Sequence, residues 1–310
     1  MKALISILRL TTAAAILLSL TICLRAQSVS TAIKFAAEVP LLDCSGIPCI
    51  EVRIGEGKPL RMGLDTGDVA SVLDKDVAEG AGLKATQPMP AGAPAGMFKT
   101  EIPAVHVGTV TLRDVRTLGL SLTEMIAQKQ MPDFAGTLAY TAFKDRVVQI
   151  DFVAHKLRIS EVLTAPAPCG DACDKFSLIT FGTKGPPIMV AKGFEINGKS
   201  VAAQIDTMFT GTMLVYSASI DKLGLTEAAK TDKTEHFAFT DGGVDMKVAP
   251  AAKESFHGRA LGVSSPVMYF PTADVHEPDG LFDATVGLGL FYGTVLTIDL
   301  HGMTFSLVKP

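Results

Sequence analysis

The feature that most constrains this chain is that it repeats itself. The first copy reads Glu51-Val52-Arg53-Ile54-Gly55-Glu56-Gly57-Lys58, then apolar residues, then Asp65-Thr66, and later Gly82-Leu83. The second reads Lys192-Gly193-Phe194-Glu195-Ile196-Asn197-Gly198-Lys199, then apolar residues, then Asp206-Thr207, and later Gly224-Leu225. From Lys to Asp the step is 65 − 58 = 7 in one copy and 206 − 199 = 7 in the other. Each copy predicts a strand, a Gly-Lys hairpin turn, a second strand, an Asp-Thr turn and a short helix ending in Gly-Leu. The copies also end alike. Phe134 to Asp151 matches Phe282 to Asp299, with Phe143 opposite Phe291, and each segment leads into a β-rich run. Two matches in one order define two units that bury their cores side by side.

Between the copies, residues 162–187 hold Pro166, Pro168, Pro186 and Pro187, which reads as a linker. The expected organisation is a signal segment over 1–26, an N-terminal lobe over 27–161, a linker over 162–187 and a C-terminal lobe over 188–310. Pockets form readily where two such lobes meet.

The start of the chain carries Lys2 and Arg9, an apolar stretch from Thr11 to Leu24, and a small residue at Ala26. This is the pattern of a secretory signal, and the stretch is too short and poorly flanked for a stable membrane span. Export to the periplasm or the medium is therefore expected. Loss of the signal removes Cys23 and leaves Cys44, Cys49, Cys169 and Cys173. An even count in an exported chain predicts two disulfides, and the simplest pairing is Cys44–Cys49 with Cys169–Cys173. Cross-pairing stays open; zinc is disfavoured because neither spacing is Cys-x-x-Cys.

With 48% apolar and 19% charged residues the chain is globular, and a net charge of −4 without a basic block argues against nucleic acid as a partner. The six histidines form no His-Glu-x-x-His pattern and no Gly-x-Ser-x-Gly elbow occurs, so neither a metalloprotease nor a serine hydrolase is indicated. No metal or cofactor is expected.

Leu64-Asp65-Thr66-Gly67, followed by apolar Val69 and Val72-Leu73, resembles the active-site turn of the retropepsin-like and pepsin-like aspartic proteases. Gly136-Thr137-Leu138-Ala139 and Ala284-Thr285-Val286-Gly287 resemble the loop that braces that turn from behind in the family. The resemblance covers nearly all of the chain after the signal. It implies a mostly β fold, with two duplicated retropepsin-like β-barrel lobes forming a pepsin-like pseudo-twofold cleft. It further implies Asp65 and Asp206 as the catalytic dyad, with Thr66, Gly67 and Thr207 supporting it, and peptide or unfolded protein as substrate. Two facing carboxylates cannot both ionise easily, so they share a proton. The ionised one activates water while the protonated one polarises the scissile carbonyl.

The second turn departs from the pattern. It reads Asp206-Thr207-Met208-Phe209-Thr210-Gly211, with Met208 where the family has Gly, and a side chain there is expected to crowd the turn or to demand a rearrangement using Gly211. In the first turn Asp68 stands where the family carries a small residue, and its charge is expected to perturb the dyad. Three readings follow: a monomer pairing Asp65 with Asp206, a homodimer pairing two copies of Asp65, and a catalytically silent peptide-binding protein. By the same resemblance, the stretch from Ala91 to Phe98 stands where the first lobe's flap belongs, and Thr240-Asp241-Gly242-Gly243 is its counterpart.

Overall fold

The computed structural model describes residues 33–87, 89–90, 93, 95–122, 131, 133–169, 173–180, 187–237, 243–250, 253–260, 267–273, 277–278 and 280–310. The expected signal segment lies outside these residues, as do 91–92, 94 and 240–242 of the two hairpin loops. No helix among the described residues is long and apolar enough to cross a membrane.

The first lobe is built from β1 (Phe35–Pro40), β2 (Leu42–Cys44), β3 (Ile47–Ile54), β4 (Leu60–Asp65), β5 (Ser71–Asp74), α1 (Lys75–Gly80), β6 (Phe98–Val107), β7 (Val110–Leu120) and β8 (Phe134–Ala139). A 3-10 turn, Tyr140–Phe143, leads to β9 (Val147–Asp151) and β10 (Lys156–Ser160). Strands β2 to β8 form one curled sheet in the order β2-β3-β4-β8-β5-β7-β6, with β3 also pairing β6. Its apolar faces close on Ile50, Val52, Met62, Leu64, Leu73, Ile102 and Leu112, all nearly inaccessible to water.

The expected linker contains a strand of its own, β11 (Cys173–Thr180), which pairs antiparallel with two strands of the second lobe, Pro187–Ile196 and Thr304–Val308, and so joins the sheet. The second lobe then repeats the plan with β12 (Pro187–Ile196), β13 (Lys199–Ile205), β14 (Met213–Val215), α2 (Ser217–Leu223), β15 (Thr234–Phe237), β16 (Val244–Pro250), β17 (Glu254–Phe256), β18 (Arg259–Ala260), β19 (Val267–Phe270) and β20 (Ala284–Val286). It ends in α3 (Leu288–Phe291), β21 (Val295–Asp299) and β22 (Thr304–Val308). The β12–β13 hairpin turns on Asn197 and Gly198, at φ 52° and 74°, as a two-residue primed turn requires.

The duplication reaches the register of the ladders. Gly63 pairs with Cys49 on one side and Thr137 on the other. Its counterpart Gln204 pairs with Val190 and Thr285, at the equivalent places. In both lobes a central strand, β8 or β20, lies parallel to the strand that carries the Asp and antiparallel to the strand that follows the loop. This crossing is possible in the first lobe because Gly136, at φ 141°, has no side chain; a Cβ there would lie 2.0 Å from the Val72 carbonyl oxygen.

A second sheet region joins the lobes. Its order is β1-β10-β9-β21-β22-β11, and at its centre β9 and β21 pair antiparallel. Gln149 sits opposite Thr297, its own counterpart in the repeat, and donates a 3.1 Å hydrogen bond to the Thr297 hydroxyl. The pseudo-twofold axis therefore passes between these two residues.

Both disulfides have the simple pairing, Cys44–Cys49 with Cα atoms 6.0 Å apart and Cys169–Cys173 with Cα atoms 5.5 Å apart. The first packs in a small apolar cluster with Leu122 and Phe134. Two disulfides mark a chain that folds in an oxidising compartment.

Candidate active site

The same pseudo-twofold axis relates the two Asp-Thr turns. β4 delivers Asp65 at its last residue, and β13 ends one residue before Asp206. The next residue in each turn ties the lobes together. Thr66 Oγ1 accepts from the Thr207 N–H at 3.0 Å and donates to the Ile205 carbonyl at 2.9 Å. Reciprocally, Thr207 Oγ1 accepts from the Thr66 N–H at 3.1 Å and donates to the Leu64 carbonyl at 2.5 Å. Thr66 and Thr207 are both buried, so these bonds form away from competing water.

The carboxyl groups are cradled alike. Asp65 Oδ1 accepts from the N–H groups of Gly67 and Asp68 at 3.0 and 3.1 Å. Asp206 Oδ1 accepts from the N–H groups of Met208 and Phe209 at 2.7 and 3.1 Å. The Asp206 carboxyl also packs on the bare face of Gly67: a Cβ there would lie 2.5 Å from Asp206 Cγ. Gly67 thus touches both acids, one through its N–H and the other through its missing side chain. Met208 keeps the amide geometry of a Gly-bearing turn, and its φ is not positive.

Behind the turns, the bracing segments hold the loops by backbone bonds. Gly287, Leu288 and Gly289 donate to the carbonyls of Thr212, Phe209 and Gly211 at 2.9, 2.8 and 3.0 Å. In the first lobe Ala139 N–H donates to Ser71 Oγ at 3.0 Å, and the Thr141 hydroxyl donates to the Val69 carbonyl at 2.7 Å. A small apolar cavity of about 20 Å³ lies under Asp65 and Thr66, lined by Leu138, Phe143, Val148 and Ile298 among others.

These surroundings set the titration of the pair. Burial, then the charges of Asp206 and Asp68, hold the Asp65 carboxyl well above the usual carboxylate range, against the two amide donors that favour its ionised form. Burial also raises Asp206, and its amide donors and Asp68 act in opposite directions on it. Both acids therefore lean toward holding a proton, as close carboxylates in a desolvated site must. Asp68 is the third carboxylate of the cleft; its Oδ1 accepts from the Val69 N–H at 2.7 Å.

One polar chain on the second lobe has no counterpart on the first among the described residues. Gln204 Nε2 donates to the Gly67 carbonyl at 2.9 Å, and Thr285 Oγ1 donates to Gln204 Oε1 at 3.1 Å. The Tyr216 hydroxyl lies 2.9 Å from Thr285 Oγ1, and burial pushes its pKa up to about 12. Gln204 and Tyr216 are not apparent as site residues in the sequence, and Thr285 enters it only as part of the bracing segment. The available signal was positional: Gln204 stands two residues before Asp206, as Gly63 does before Asp65.

No protein-family model matches the chain, and no curated protein matches it in sequence. Among solved structures it is similar to edgp, with a TM-score of 0.50 and 12% identity over 89% of this chain and 95% of that one. It is also similar to the aspartic proteinase from Irpex lacteus, with a TM-score of 0.45 and 12% identity over 88% of this chain and 97% of that one. With its paired Asp-Thr turns, its duplicated crossing strands and its joining sheet, the chain has the two-lobed fold of the pepsin-like aspartic proteases. More particularly, it has the single-chain form of that fold, in which one polypeptide supplies both turns.

Proposed function

We propose that the chain is an exported aspartic-type endopeptidase, with Asp65 and Asp206 as an intramolecular dyad acting on peptide or unfolded protein. The observation that carries this reading is the matched pair of cradled carboxyls locked together by the reciprocal Thr66–Thr207 bonds. That lock is made within one chain, which supports a monomeric site over a dimer of Asp65 turns.

In the reading, one carboxylate takes a proton from a bound water, which attacks the scissile carbonyl while the protonated partner donates a hydrogen bond to its oxygen. The tetrahedral intermediate collapses when the departing amine takes a proton, and the dyad returns to its singly protonated state. The raised carboxyl pKa values support a proton shared by the pair.

The test is cleavage of an unfolded protein by the purified chain lacking residues 1–26, run across acid and neutral pH with and without pepstatin. Asp65→Asn and Asp206→Asn are expected each to abolish pepstatin-sensitive cleavage. Loss in Asp65→Asn alone supports the dimer. A folded wild-type chain that binds peptides but cleaves none across that range supports the silent reading.

A further inference from the structure

The family-like Gly is missing at position 208, yet the Asp206 cradle keeps the same two amide donors as the Asp65 cradle. The compensation lies across the pseudo-twofold axis. A Cβ on Gly63 would lie 3.3 Å from Met208 Sδ, so the thioether rests on the bare backbone of β4, two residues before Asp65. At the equivalent place in the other half, Gln204 reaches across the axis to the carbonyl of Gly67. Each contact across the axis therefore pairs a first-lobe glycine with a long second-lobe side chain, and the two glycines stand two residues before and two residues after Asp65. Gly63 faces Met208, and Gln204 faces Gly67.

A polar footprint of this pairing remains. Thr285, in the second lobe, gives its hydroxyl to Gln204. Its counterpart Thr137 is buried beside Gly63, and its hydroxyl has no partner among the described residues. With glycine at position 63 there is no side-chain amide to receive it.

We propose that Met208 is a positioning residue: seated on Gly63, it holds the Asp206 turn from across the axis, the role that Gln204 performs for the Asp65 turn. The catalytic consequence rests on the proposed endopeptidase reading, but the packing claim does not. A long side chain at 208 and a bare residue at 63 form one coupled unit. A glutamine at 63 requires glycine at 208, and it would then find the carbonyl of residue 208 as acceptor and the Thr137 hydroxyl as donor. The Ile47 methyl, 3.3 Å from the same point on Gly63, is no obstacle in principle, because Ile188 stands at the matching place beside Gln204.

The experiment compares wild type with Met208→Gly, Gly63→Gln, the double variant Gly63→Gln/Met208→Gly, and the conservative Met208→Leu. Urea midpoints and the carbon-13 carboxyl titrations of Asp65 and Asp206 are read in each, neither of which needs turnover. Both single glycine and glutamine variants are expected to lower the midpoint and alter the coupled titration, and the double variant to recover most of both. Met208→Leu should stay close to wild type. Where cleavage is present, Met208→Gly should lower kcat on the order of 10- to 100-fold with KM little changed, as misplacement of a reacting group does. Additive losses in the double variant, or an unaltered titration in Met208→Gly, overturn the proposal. Should Gly63→Gln alone fail to fold, recovery in the double variant remains the deciding result. A wild type without cleavage refutes the endopeptidase reading while leaving the coupling between 63 and 208 measurable.

Discussion

Thr66→Val is the sharpest test of how the two lobes are held. Valine has nearly the shape of threonine, so the change removes hydrogen bonding with little change in packing. The lost hydroxyl accepts the Thr207 N–H at 3.0 Å and donates to the Ile205 carbonyl at 2.9 Å. Thr207 is fully buried, so its N–H is left with neither acceptor nor water. An orphaned buried group costs about 1–3 kcal/mol. The carbonyl retains a second lone pair and belongs at the low end of that range, whereas the N–H belongs at the high end. The sum is a loss of about 2–4 kcal/mol.

Thr66→Ser supplies the control, since it keeps the hydroxyl and removes one methyl group, at about 1 kcal/mol. The assay is urea unfolding, with the midpoint compared at a constant slope so that the difference reads stability. Thr207→Val should cost a similar amount, because it orphans the Thr66 N–H and unbinds the Leu64 carbonyl. A Thr66→Val midpoint within about 0.5 kcal/mol of wild type would refute the argument, because surface-like changes fall in that band. Equal losses in Thr66→Val and Thr66→Ser would refute it as well, by assigning the effect to the methyl group.

The other predictions concern charge. Asp68 raises both acids, so Asp68→Asn is expected to lower their titration and to move the pH profile of kcat/KM for the proposed reaction toward acid. An unmoved or alkaline-shifted profile would contradict that. Glu254 is buried with neither carboxyl oxygen partnered among the described residues, and burial pushes its pKa up to about 8. A folded pKa raised above the unfolded value means full stability below about pH 4.5, lost progressively as the pH rises to about 8. At about 1.36 kcal/mol per unit over roughly 3.5 units, the loss is at most about 5 kcal/mol. Glu254→Gln should flatten that dependence in urea melts at pH 5 and pH 8.5, and parallel curves for the two proteins would count against it.

Much of this organisation is legible in the sequence because the chain supplies its own comparison. Asp65 and Asp206 stand seven residues after matched lysines, and Phe134 and Phe282 open matched final segments. Local turn chemistry and strand patterning are short-range properties, and duplication shows them twice. The strand β11 was hidden for the opposite reason. Of Cys173–Thr180 only Phe176 is buried, so the segment lacks the alternation that marks a strand, and backbone pairing with β12 and β22 holds it. The partnership of Met208 with Gly63 was hidden because it joins residues 145 positions apart (208 − 63 = 145) across the pseudo-twofold axis. A sequence displays the departure from glycine at once; only the packing displays the room made for it.

Phe209 extends the same argument to the rest of the second turn. Thr137 pairs with Val72 and Thr285 with Leu214, so the loop from Asp to that partner spans 72 − 65 = 7 steps in the first lobe and 214 − 206 = 8 in the second. The longer loop is exposed to more conformational freedom and needs an additional anchor. Phe209 provides it: its ring packs on Phe237 and Tyr269, with centroids 5.5 and 5.8 Å away. Two further glycines make room for the ring, since a Cβ on Gly211 would lie 2.4 Å from Phe209 Cζ and one on Gly287 would lie 2.6 Å from Phe209 Cδ1. Asp68 stands at the corresponding step of the first turn, where the 3.1 Å amide bond to Asp65 is kept without an aromatic anchor. The two turns therefore reach one geometry by different side chains, each large residue on the second loop facing a glycine elsewhere. The conserved physical requirement is the pair of cradled carboxyls, and a glycine within the turn is one of several ways to leave space for it.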